Sequence, residues 1–135
     1  KHNAQAEEYI EEIKEQKAWG DVKQRNTISD YAQFILTYPG SKFTSQATKN
    51  LNNLRDEEAW RIANNEGTVK AYQYYIDSFP NGKNKRKAKE IIYEIEFIEP
   101  EWNKALKVNT PSAVRSFISK FPKGFYSNKA RTHLS

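Results

Sequence analysis

The chain has 135 residues, with 22 Lys plus Arg against 17 Asp plus Glu for a formal net charge of +5, no cysteine, no methionine and two histidines. Without cysteine there is no disulfide framework, no zinc ribbon and no thiol nucleophile. His2 and His133 stand near opposite chain ends and offer nothing to a metal site or a Ser-His-Asp triad. Mean hydropathy is −0.94 and aromatic residues make up 13% of the chain, so the core has to be built largely from rings.

In chain order, the first segment with helical spacing covers residues 3–25, with Gly20 as its one weak point. Thr27 is placed to cap a second, shorter helix, and Asp30, three residues on, approaches a capping box. That helix sets Tyr31, Phe34, Ile35 and Tyr38 at i, i+3, i+4 and i+7. It stops at Pro39, because the residue before a proline is driven from the helical region. The turn Pro39-Gly40-Ser41 follows.

No Gly or Pro interrupts 41–65, where Ala47, Leu51, Leu54 and Trp60 lie roughly on one face of a second long helix. Thr68 opens a short helix carrying Tyr72, Tyr75, Ile76 and Phe79, closed by Pro80-Asn81-Gly82. The third long segment contains Pro100, which predicts a new helical segment over 100–108; a kinked continuous helix is the alternative. Thr110 caps the last short helix, with Pro111 where a missing N–H costs nothing. This helix carries Val114, Phe117, Ile118 and Phe121 and ends at Pro122-Lys123-Gly124. A final helical stretch holds Ala130 and Leu134, and no segment has a strand pattern. No apolar run approaches the roughly 20 residues needed to cross a bilayer.

These segments repeat. Trp19, Trp60 and Trp102 are spaced by 41 and 42, as are Tyr38-Pro39, Phe79-Pro80 and Phe121-Pro122. Thr27, Thr68 and Thr110 keep the step, as do Phe34, Tyr75 and Phe117, and Ala47, Ala88 and Ala130. Ala6 stands 41 before Ala47; Ile10, Leu51, Ile92 and Leu134 form a further column, and Ile13, Leu54 and Ile95 another. The one extra residue falls between Ile95 and Trp102. A unit of this length is one supersecondary element that buries its faces only against neighbours. The small residues after each Trp (Val22, Ala63, Ala105) and the Ala column allow close helix approach.

The order Trp, capping Thr, aromatic short helix, aromatic-Pro turn, Ala resembles a tetratricopeptide-type repeat. It is similar to the long-helix/short-helix variant of bacterial multidomain proteins. The stretch Phe121-Pro122-Lys123-Gly124-Phe125-Tyr126, with Ala130 beyond it, also resembles envelope-associated tetratricopeptide proteins. The first copy departs at Ser41, where the others have Gly82 and Gly124. The resemblance implies an all-α fold, a right-handed α-solenoid of stacked antiparallel hairpins in one domain over 1–135. Its units are 1–40, 41–81 and 82–123, with a partial unit at 124–135. It implies a module that binds a partner protein or peptide, or positions a neighbouring effector domain, with no cofactor and no active site. The absence of an initiator Met and the unfinished last helix lead us to expect a piece of a longer protein, from the cytoplasm or the cell envelope of a bacterium.

Binding is expected at positions that break the repeat outside the ring stripe. On the short helices these include Gln33 and Thr37, Gln73 and Tyr74, and Arg115 and Lys120. Tyr74 reads either as a half-buried ring or as an interface anchor. A second reading comes from charge. Residues 1–67 carry 9 basic and 11 acidic side chains, and 68–135 carry 13 and 6. Lys83, Lys85, Arg86, Lys87 and Lys89 crowd the opening of a helix, where the macrodipole disfavours cations. This cluster is a candidate anion site for nucleic acid, an acidic peptide or an anionic membrane. The carboxylate pairs Glu8/Glu12 and Glu94/Glu96 lie among other charges and are expected to be solvated, which does not suit general acid–base work. With no phosphate loop and no metal spacing, the chain does not read as an enzyme.

Overall fold

The computed structural model describes residues 4–135; Asn3, at the expected start of the first helix, and His2 lie outside the described residues. The described residues form helices α1 (Ala4–Arg25), α2 (Ile28–Thr37), α3 (Thr44–Glu66), α4 (Val69–Ser78) and α5 (Lys85–Tyr93), then a π-helical turn (Glu94–Ile98), then α6 (Glu99–Val108), α7 (Pro111–Lys120) and α8 (Phe125–Leu134). No strand occurs among them, so the fold is all-α.

The short helices begin as their threonines dictate. Thr27, Thr68 and Thr110 have extended backbone, and each hydroxyl accepts the N–H of the residue three on, at 3.1 Å. Asp30 does not close a capping box on the backbone. It accepts the Thr27 hydroxyl at 2.8 Å and the Arg25 Nε at 3.1 Å instead. The Thr27 hydroxyl, and after it the Arg25 guanidinium, hold the Asp30 carboxyl below its usual range against some desolvation.

One residue before each cap, the chain turns through the left-handed region: Asn26 (φ 52), Gly67 (φ 64) and Asn109 (φ 52). Their N–H groups satisfy the carbonyls of the small-residue column, Val22 at 2.8 Å, Ala63 at 2.8 Å and Ala105 at 2.9 Å. Asn and Gly are the residues that tolerate this conformation. At the other end, Tyr38, Phe79 and Phe121 leave the helical region at ψ 64, 73 and 80, each directly before its proline.

Pro100 lies in the first turn of α6, the new segment expected over 100–108, but the chain enters it without a break. Ile98 and Glu99 both keep right-handed helical backbone, and the helical path is continuous from α5 into α6. The extra residue of the third repeat is taken up in the π-helical turn, where the Glu99 N–H reaches back to the Glu94 carbonyl, one residue further than in an α-helix. Ile92 ahead of the turn and Ile95 within it stand 41 after Leu51 and Leu54; beyond it, Trp102 stands 42 after Trp60. The bulge therefore returns the Trp face to the core.

The chain forms two compact units, the first ending at Ala59 and the second running Trp60–Ser135. In the first, the C-terminal half of α1 supplies Trp19 and Val22, α2 supplies Tyr31 and Phe34, and α3 supplies Ala47 and Leu51 to one buried cluster. In the second, Trp102 and Ala105 of α6, Val114 and Phe117 of α7 and Ala130 of α8 form a cluster at the corresponding positions, 83 residues on, with Ile98 of the π-helical turn added. Also within the second unit, Trp60 meets Tyr72 and Tyr75 of α4, and Ala88 of α5 is fully buried. The Trp-to-short-helix contact has one geometry throughout: Trp19–Phe34, Trp60–Tyr75 and Trp102–Phe117 all have ring centroids 5.3 Å apart. Ala47, Ala88 and Ala130 are each 0% exposed, which allows the next helix to lie close against those rings.

Because the bulge carries one surplus residue, deleting the exposed Phe97 is expected to convert it to α-helix and change stability by less than about 1 kcal/mol in urea unfolding. Deleting Gln73 from α4 rotates Tyr75 and Ile76 off the core and is expected to cost more than about 3 kcal/mol.

Candidate functional site

The six repeat-breaking candidates are all exposed, on three separate helices. On α2, Gln33 Nε2 donates to Thr37 Oγ1 at 3.2 Å, and Thr37 Oγ1 donates to the Gln33 carbonyl at 2.8 Å. On α4, Gln73 Nε2 donates to Asp77 Oδ1 at 2.9 Å. Tyr74 is 74% exposed although Tyr72 and Tyr75 on either side are 5% and 1% exposed, so it is not the half-buried ring that one reading expected. On α7, Arg115 and Lys120 share a shallow recess of about 560 Å³ with Ser112, Ser116 and Ser119. Lys120 Nζ is 4.0 Å from Glu101 and 5.4 Å above the Phe121 ring.

The basic cluster sits where the sequence placed it. α5 opens at Lys85, so Lys85, Arg86 and Lys87 occupy its first turn, with Lys83 just ahead and Lys89 one turn on. Asn84 makes no side-chain cap; its backbone N–H instead donates to Tyr75 Oη at 3.1 Å. Arg86 Nε lies 3.3 Å from Glu90, with both side chains open to water (92% and 63% exposed), so this pair contributes little stability. Lys85 is half-buried, and Lys83, Arg86, Lys87 and Lys89 are exposed.

A third feature, within the second unit, was not legible as a site in the sequence. A cleft of about 650 Å³ is walled by Tyr72 of α4, Ile91 and Ile95, Glu94 and Glu99 of the bulge region, and Tyr126 of α8. Glu94 is half-buried in this cleft, where the sequence suggested that it is solvated beside Glu96. The bulge turns Glu94 and Glu99 into the cleft and leaves Glu96 outside. Tyr126 Oη donates to Glu99 Oε2 at 2.5 Å. Burial, then the Glu99 carboxylate, pushes the Tyr126 phenol up to about 12; burial also raises Tyr72, whose Oη donates to Asn64 Oδ1 at 2.9 Å. Gly124 is required here by its φ of 112; a Cβ on it would also come within 2.6 Å of Glu94 Oε1, so that flexible carboxylate would have to shift. The signal available in the sequence was the extra residue between Ile95 and Trp102, the one place where the period changes.

His133, though exposed, makes two contacts with the third repeat. In the first unit, Tyr31 Oη donates to Asn26 Oδ1 at 2.9 Å and accepts from Asn50 Nδ2 at 3.2 Å. In the third repeat Val114 has no hydroxyl, and His133 Nε2 lies 3.1 Å from Asn109 Oδ1 directly, with its ring edge-on to Trp102. Among the described residues no three His, Asp or Glu side chains gather to hold a metal, and no helix is long and apolar enough to cross a membrane.

No protein-family model, curated protein or solved structure matches the chain.

The Tyr126 phenol, raised above its unfolded value near 10, favours the folded chain fully below pH 10 and loses that contribution as pH rises towards 12. Tyr126→Phe is therefore expected to flatten the loss of stability between about pH 10 and 12, read as urea midpoints in buffers across that range, while leaving the pH 7–9 limb unchanged in slope.

Proposed function

We propose that this chain is a tetratricopeptide-like interaction module. In this reading its helical hairpins stack as a right-handed solenoid over residues 1–135, and it binds a partner protein or peptide, or fixes the position of a neighbouring effector domain, with no chemistry of its own. The observation that carries the reading is a division of labour. The recurring rings are consumed in three equivalent internal contacts, while the side chains that differ between repeats face solvent. Stacked hairpins of this kind present extended surfaces whose specificity lies in the varying positions. Tyr74 is the natural anchor, since a rigid, amphipathic ring that stands clear of the core gives much contact area at little entropic cost.

The test is affinity capture with the wild-type chain and with a Tyr74→Ala, Gln73→Ala, Arg115→Glu, Lys120→Glu variant. These positions are exposed, so the thermal midpoint is expected to stay within about 2 °C of wild type. A protein partner retained by the wild type and lost by the variant supports the reading. Equal retention by both, or none by either, contradicts it.

A second reading is favoured by one observation: four exposed cations gather around the first helical turn of α5, where the local field works against them. In this reading Lys83, Lys85, Arg86, Lys87 and Lys89 bind nucleic acid or an anionic surface. Affinity for a DNA duplex then falls steeply with salt and disappears in Lys85→Glu, Arg86→Glu, Lys87→Glu. The same substitutions are expected to stabilise α5 of the free chain by about 0.3–1 kcal/mol per charge, so binding and stability move in opposite directions.

A further inference from the structure

The N-terminal half of α1 repeats a surface that is covered on α3. Ile10 and Ile13 stand 41 residues before Leu51 and Leu54. Leu51 is 6% exposed, packed with Trp19, Tyr31 and Phe34 of the hairpin before it, and Leu54 packs against the same cluster. In the second unit Ala130, in register with Ala47, is 0% exposed against Trp102, Val114 and Phe117, while Leu134, in register with Leu51, is 38% exposed. Ile10 and Ile13 are instead 51% and 48% exposed, with Tyr9 beside them at 65%.

The rim of this face also differs. Over residues 4–15 α1 carries Glu7, Glu8, Glu11, Glu12 and Glu15 against Lys14 alone, a net charge of −4. At the four positions 41 after Glu7, Glu8, Glu11 and Glu12, the covered copy on α3 has Thr48, Lys49, Asn52 and Asn53, none of them acidic.

We propose that this face is a docking surface for one further helical hairpin of the same repeat type. That hairpin presents a Trp and the aromatic side of a short helix to Ile10 and Ile13, and it carries a basic rim opposite the glutamates. The internal copies show what the apolar half of the partner looks like, and the charge of α1 specifies the rest. The unit formed by α6 and α7 has this chemistry: residues 99–124 hold Lys104, Lys107, Arg115, Lys120 and Lys123 against Glu99 and Glu101, net +3. The proposal rests on the stacked-hairpin reading above, but it concerns a different surface from Gln73, Tyr74, Arg115 and Lys120.

The experiment extends the full chain at its N-terminus with a second copy of residues 99–124, which joins Lys1 in register because residue 1 corresponds to residue 125. The extended chain is expected to melt in one transition at least about 5 °C above the 135-residue chain, with a smaller gain at high salt. Ile10→Asp is expected to shift the midpoint of the 135-residue chain by less than about 2 °C and to remove most of the gain in the extended one. Three results overturn the proposal. One is an extended chain with no gain. Another is Ile10→Asp being equally silent in both chains. The third is a 135-residue chain that sediments as a dimer dissolved by Ile10→Asp, which would make the occupant a second copy. The partner-capture experiment reads solvent faces of the short helices and this one reads stability, so either can fail while the other stands.

Discussion

Each tryptophan of this chain lies 5.3 Å from one ring of the short helix that follows it, Phe34, Tyr75 or Phe117, and nearly everything else in the fold serves to hold that contact. The short helices have ten residues each, too few to be stable alone in water. They persist because one face is rings. Burying such a ring contributes on the order of 1.5–3 kcal/mol, and a well-oriented aromatic pair adds about 0.5–1.5 kcal/mol. The left-handed residue and the capping threonine set the angle at which the chain returns. The proline turn ends the short helix before it overshoots, and the fully buried alanine admits the next helix.

Much of this was legible in the sequence because it depends on local chemistry at fixed spacing. The three threonine caps, the three proline stops, the ring stripes and the alanine column all act within a few residues, and repetition separates them from coincidence. The left-handed column was equally available, since Asn26, Gly67 and Asn109 keep the same step, but Asn signals a turn less loudly than Gly does. The place of Pro100 in the first turn of a new α-helical segment was legible, but the unbroken backbone that leads into it was not. A proline in a helix usually forces a break, whereas here it falls in the first turn after a π-helical bulge, where the hydrogen-bond pattern is already shifted.

The sites were harder to read than the fold. Exposure of Tyr74, Arg115 and Lys120 follows from helical periodicity. The acidic cleft does not, because it depends on a one-residue insertion rotating Glu94 and Glu99 towards Tyr126 of a helix that comes some thirty residues later. Charge adds a second layer to the repeat. The first long helix is acidic and the chain from residue 68 onward is basic, on the same periodic scaffold. The core columns recur, and the surface columns vary in sign, which is where a repeat protein acquires selectivity.

The account stands on the three ring contacts being equivalent in energy as well as in geometry. The most direct measurement is urea unfolding of Trp19→Ala, Trp60→Ala and Trp102→Ala, made singly. Each substitution is expected to cost about 3–5 kcal/mol, with Trp60, the half-buried one of the three, at the lower end. If any of the three unfolds at the wild-type midpoint, the idea that one repeated contact organises the whole chain is wrong.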